Sequence, residues 1–121
     1  MPSLIDSPTM IEAAGNKPKR IEEYVGRVNT CTPEVSVARM LSPPGWKEPG
    51  QQPDFTEFTL VLRGMLTVEH EDGDLDVFAC QAAIAHADEW VRYSSPGPEQ
   101  TEYVAVCLPT FSLQTAHHDA E

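Results

Sequence analysis

Basic residues are scarce in this chain: eight Lys and Arg stand against nineteen Asp and Glu, a formal charge of −11 over 121 residues. Nucleic acids and anionic membranes recruit proteins through positive surface, so neither is expected as a partner. The one basic cluster, Lys17, Lys19 and Arg20, is too short to change that. Long apolar runs are missing as well. No stretch approaches the roughly 20 residues of a membrane span, and Met1 to Asn16 shows no basic start followed by an apolar run, so no secretory signal is expected. The expected compartment is the cytoplasm. Cysteine is sparse, at Cys31, Cys80 and Cys107. An odd count without any CxxC spacing argues against a disulfide framework and a zinc site, and Cys31 and Cys80 read as small buried hydrophobes.

What remains is an ordinary globular composition, 40% apolar and 22% charged, in a chain long enough for one domain with one core. Residues 1–34 read as an N-terminal arm and a short helix, the helix capped by Asn16, with Pro18 in its first turn and Ile21, Tyr24 and Val25 on one face before Gly26. Two turns of helix cannot stand alone and must pack on something larger. From Val35 the pattern becomes β. Strands are expected over Val35 to Leu41, Thr56 to Leu62, Met65 to His70, Leu75 to Phe78, Ala82 to Ala85, Glu89 to Tyr93 and Glu102 to Leu108. A tight hairpin turn is expected at Asp72-Gly73, and the proline-rich segment Pro43 to Pro53 reads as loop. Short strands at this spacing call for an all-β sandwich or barrel. Residues 112–121 form an acidic tail, in which His117 and His118 are expected at the surface, although a tail folded over the barrel would bring His117 to its mouth.

The segment from Gly45 to Gly64 resembles the first motif of the cupin family, whose barrel strand carries a glutamate ligand and ends in a glycine turn. Glu57 and Gly64 bracket Phe58 to Arg63 at the family's spacing. The second motif survives as a frame between Cys80 and Tyr93, and Ala105 to Phe111 is similar to the family's last strand and exit turn. The resemblance implies a jelly-roll barrel of two antiparallel sheets over residues 35–111, and a homodimer. It also exposes a gap. The two histidine slots of the first motif fall among Gly50, Gln51, Gln52 and Pro53, and the histidine slot of the second falls on Val91, so of the four usual metal ligands only Glu57 remains.

Glu57 therefore leads the candidates. Strand alternation puts Glu57, Thr59 and Val61 on one face, which the resemblance makes the interior. A carboxyl buried without a metal is pushed toward neutrality and suits general acid or base work, unless a structural partner such as Arg39 or Arg92 neutralises it. His86 is a candidate proton shuttle and Tyr93 a candidate donor to a substrate oxyanion. Gln52, Trp46, Trp90 and Cys107 are candidate substrate contacts. The expectation is a metal-independent isomerase, dehydratase or cyclase acting on a small polar molecule. Two alternatives stay open: a metal-dependent dioxygenase or lyase with Glu48, Gln52, Glu57 and His86 as a substitute ligand set for a divalent ion, and a ligand-binding barrel without catalysis.

Overall fold

The computed structural model describes residues 1–120. Ten strands, β1 (Thr9–Ile11), β2 (Arg20–Val25), β3 (Ser36–Ser42), β4 (Trp46–Lys47), β5 (Thr56–Arg63), β6 (Met65–His70), β7 (Gly73–Phe78), β8 (Ala82–Ala85), β9 (Val91–Ser95) and β10 (Thr101–Leu108), precede one short helix, α1 (Leu113–Ala116). They form a six-stranded sheet in the order β1-β2-β3-β10-β5-β8 and a four-stranded sheet in the order β4-β9-β6-β7. Every strand pair in both sheets is antiparallel.

Alternation decides what lies between the sheets. Along β5, Glu57, Thr59 and Val61 are buried while Phe58, Leu60 and Leu62 are exposed. Along β10, Tyr103, Ala105 and Cys107 turn inward. The core gathers Trp46, Val61, Leu66, Val68, Val91 and Tyr103 from both sheets. On the outer side, Phe58 and Ile84 are paired across β5 and β8 and leave an apolar face on the larger sheet.

Four local expectations need correction. Residues 16–26 are not a helix. Arg20–Val25 pairs along the edge of β3, placing Ile21 opposite Met40 and Glu23 opposite Ala38, and β1 then adds to β2. An isolated two-turn helix is marginal, whereas this edge satisfies the backbone and buries Ile21 and Glu23. The sheet thus begins well before residue 35. The hairpin turn is shifted by one residue: Gly73 already pairs with His70, so the two-residue loop is Glu71-Asp72. The proline-rich loop contains β4, paired with β9. Cys31 and Cys80 are exposed rather than buried, each at a positive φ outside the strands (55° and 69°).

Gly64 joins β5 to β6 at φ +81°, and a Cβ there would lie 2.8 Å from the Gln100 carbonyl oxygen and 3.0 Å from the Thr101 Cα. Both obstacles are backbone and cannot swing away. Gly64→Ala is expected to cost about 1–3 kcal/mol, read as a lower urea midpoint at an unchanged slope.

The C-terminal tail is folded onto the barrel. Ser112 caps α1 by accepting from the Thr115 amide, Phe111 packs edge-on against Phe55 at 5.7 Å between ring centroids, and His118 forms an isolated bridge with Gln51.

Candidate functional site

Glu57 lies inside the barrel, 8% exposed, with Cys107 opposite it on β10 and Ala85 opposite it on β8. It borders a partly open cavity of about 50 Å³ that also meets Lys19, Trp46, Glu48, Gln51 and Cys107. The N-terminal segment Ile11 to Ala14 and the tail residues Phe111, Leu113 and His118 line it too. Space of this size takes a ligand of only a few heavy atoms unless a wall moves.

Lys19 precedes β2, two residues before the inward Ile21, and so points to the same face. Its Nζ sits 4.2 Å from the centroid of the Trp46 ring and 5.2 Å from that of Tyr103. The Tyr103 hydroxyl also pairs with Ser42 at 3.0 Å. Burial by itself would push the Lys19 ammonium down, but Tyr103, Glu48 and Glu57 outweigh it and hold its pKa above the ordinary lysine value.

Glu57 is displaced the other way. Burial first, and the charge of Glu48 second, push it up to about 7, against the pull of Lys19 and of hydrogen bonds from Thr59 and Cys107. The Thr59 contact is long, 3.5 Å, which fits its small effect. Arg39 and Arg92 do not neutralise Glu57: Arg39 binds Glu22 and Glu102, and Arg92 binds Glu69. Glu48 is held from the tail side by His118, whose Nε2 lies 3.3 Å from its Oε2.

The pKa of Glu57 sets a linkage. Native protein holds this proton up to about pH 7, while an unfolded glutamate releases it near 4.3. The native state therefore binds more protons in that window, and its stability falls as pH rises through it, levelling off above pH 7. Denaturation of wild type and of Glu57→Gln across this range should show the decline in the first and its loss in the second.

The remaining candidates divide. Trp46 is 1% exposed and lines the cavity. Cys107 lines it too, but burial and Glu57 keep the thiol protonated far above its usual range, so it is a thiol donor and not a primed nucleophile. Tyr93 is buried and inward, its phenol raised well above 10 by burial and by the charges of Glu57 and Glu48. Tyr93 does not line the cavity, and three further candidates lie outside it as well. Gln52 is exposed and donates to the Asp88 carbonyl at 2.9 Å, while its neighbour Gln51 turns inward, fixed by two backbone bonds to Val91 at 2.8 and 2.9 Å. His86 is exposed in the turn after β8 and borders a separate recess of about 210 Å³ with Tyr93 and Val91. Trp90 bonds Asp119 through its indole nitrogen at 2.9 Å. In the tail, His118 rather than His117 reaches the cavity, since His117 pairs with Asp54 on the surface.

A divalent metal does not fit this arrangement. Of Glu48, Gln52, Glu57 and His86, only the two carboxylates face the cavity, and an ammonium occupies the space with them. Three or four converging N or O donors are wanted, and among the described residues no group of three His, Cys, Asp or Glu side chains could hold an ion.

Sequence alone missed Lys19, Gln51 and His118. The alternation of Lys19, Ile21 and Glu23 was the available signal for the first. Only the loop length separates Gln51 from Gln52, and nothing local marks His118.

No protein-family model matches the chain. In sequence it is 42% identical over 99 residues to Endoribonuclease YbeY of Myxococcus xanthus, a match covering 82% of this chain and 34% of that protein; the chain thus spans about a third of its relative's length. In structure it is similar to a predicted oxalate decarboxylase from Thermotoga maritima (TM-score 0.71, 18% identity, 85% of this chain and 92% of that one). The polyketide cyclase RemF from Streptomyces resistomycificus is similar over 97% of this chain and 89% of its own (TM-score 0.70, 10% identity). The cupin domain of Schizosaccharomyces pombe Cnp3 matches at a TM-score of 0.65 and 12% identity, over 79% of this chain and 63% of that one. With two antiparallel sheets closed around an inward Glu57, the chain has the cupin fold.

Proposed function

We propose that this barrel is a small-molecule enzyme of the acid–base kind, catalysing isomerisation, loss of water or ring closure by proton transfer at Glu57. One observation carries the reading: a buried carboxyl that lines a cavity and is pushed up to about 7. At neutral pH such a group is divided between its two forms, so it can take a proton and return it. As carboxylate, Glu57 removes a proton from carbon beside a carbonyl. The C–H electron pair moves into the enolate, and the proton returns at a second position or a leaving group departs. Tyr93 is kept neutral by burial first and by the charge of Glu57 second, but it borders the separate recess and not this cavity.

The structural neighbours support this only as precedents, since one is named a polyketide cyclase and another a predicted decarboxylase. RNA cleavage, suggested by the name of the sequence relative, is the weaker reading here. RNA binding draws on positive surface, and this chain carries −11. The test is proton exchange: the protein in D2O with a panel of small ketones, deuterium gain at the α-carbon followed by NMR. Catalysed exchange that Glu57→Gln loses supports the reading, and exchange equal in both proteins ends it.

A further inference from the structure

The cavity holds a cation, Lys19, that no motif of the chain marks out. Lys19 comes from the segment leading into β2, Trp46 from β4 of the smaller sheet and Tyr103 from β10 of the larger one, so the ammonium is clasped between the two sheets. Aromatic faces at 4.2 and 5.2 Å attract a cation through their quadrupoles. Glu48 and Glu57 border the same cavity and favour the charged form. A buried ammonium without such partners would be costly; this one has four.

We infer that the Lys19 ammonium is the resident cation of this barrel, a fixed positive charge that holds the carbonyl oxygen of the substrate while Glu57 works on the adjacent carbon. The inference rests on the acid–base reading above and deepens it by naming the electrophilic partner and the substrate class. Lys19 and Glu48 balance each other, so the cavity carries one uncompensated negative charge whenever Glu57 is ionised. In the resting state that charge belongs to ionised Glu57, and during reaction it passes to the enolate oxygen as Glu57 takes the proton. A substrate already anionic would add a second, uncompensated charge to a buried site. The class that fits is therefore a small uncharged carbonyl compound with an acidic C–H bond, short enough for a cavity of about 50 Å³. The ammonium donates to the enolate oxygen and does not give up its proton, which its raised pKa supports.

The test reads the ammonium directly. In wild-type protein labelled with 15N, one lysine ammonium signal should survive solvent exchange at neutral pH, show cross-peaks to the Trp46 ring, vanish in Lys19→Ala, and shift on titration with 2-butanone. No protected signal, or a protected signal that 2-butanone leaves unmoved, overturns the inference. Lys19→Ala also removes a fragment equivalent to propylammonium. Adding propylammonium should raise the melting temperature of Lys19→Ala and leave those of wild type and Lys19→Met unchanged. An equal shift in all three, or in none, counts against a built cation seat; if Lys19→Ala does not fold, the wild-type signal decides. None of these readouts requires turnover. A protected, ketone-responsive ammonium in a protein without α-proton exchange would therefore sink the catalytic reading and leave the cation seat standing.

Discussion

Glu57→Gln is expected to lower catalysed α-proton exchange about 10²–10⁴-fold, the span that a positioned general acid or base contributes, with the fold intact. The substitution keeps the shape and hydrogen-bonding capacity of the side chain and removes the group that titrates. It also acts on stability in a way that separates it from damage. Ionised Glu57 is disfavoured by burial and by Glu48, so above about pH 7 the wild type carries an unfavourable charge that the variant lacks. The variant should therefore be no less stable than wild type at pH 8, while losing exchange. A variant that loses exchange together with its melting transition would indicate a structural role. A variant with near-normal exchange would remove Glu57 from the chemistry altogether.

Trp46→Ala carries the largest expected cost in stability. Trp46 is 1% exposed and belongs to the main core cluster, and truncating a buried tryptophan to alanine costs about 3–5 kcal/mol, transfer and cavity terms together. Lys19 would also lose the nearer of its two aromatic faces. For a domain of this size the melting temperature should fall by roughly 10–20 °C. One feature makes the position informative. The indole Nε1 is buried without a hydrogen-bond partner, beneath Gly15, where a Cβ would come within 2.3 Å of it. Trp46→Phe keeps most of the apolar area and deletes this unpaired donor, so it should cost much less than Trp46→Ala. Equal losses in the two variants would show that the six-membered ring is not what holds the core together.

The strands from β5 to β10 were legible because a period of two is a local property. Thr56 to Arg63, Met65 to His70 and Ala82 to Ala85 declare which side chains share a face by their own spacing, and the cupin resemblance made the face of Glu57 and Thr59 the inner one. The glycine break at Gly64 was legible for the same reason, since its backbone occupies a region that side chains resist. The segment from Asn16 to Gly26 carries helical signals that are real but weak. An unpaired edge of β3, set by residues far along the chain, outbid them. Loops carry no period, so nothing local could choose between Gln51 and Gln52 or aim His86.

By itself, then, the sequence determined the sign of the surface, a sandwich or barrel of short strands, and one face shared by Glu57, Thr59 and Val61; that this face turns inward is what the cupin resemblance implied. Tertiary structure decided what Glu57 meets. It brought Lys19 in from the N-terminal segment, turned Gln51 inward, left Gln52 and His86 outside, and folded the tail so that His118 reaches Glu48. The physical reason is the same in each case. These positions are set by which backbone edges remain free to pair and by which charges must find partners once buried, and neither condition exists until the chain has closed.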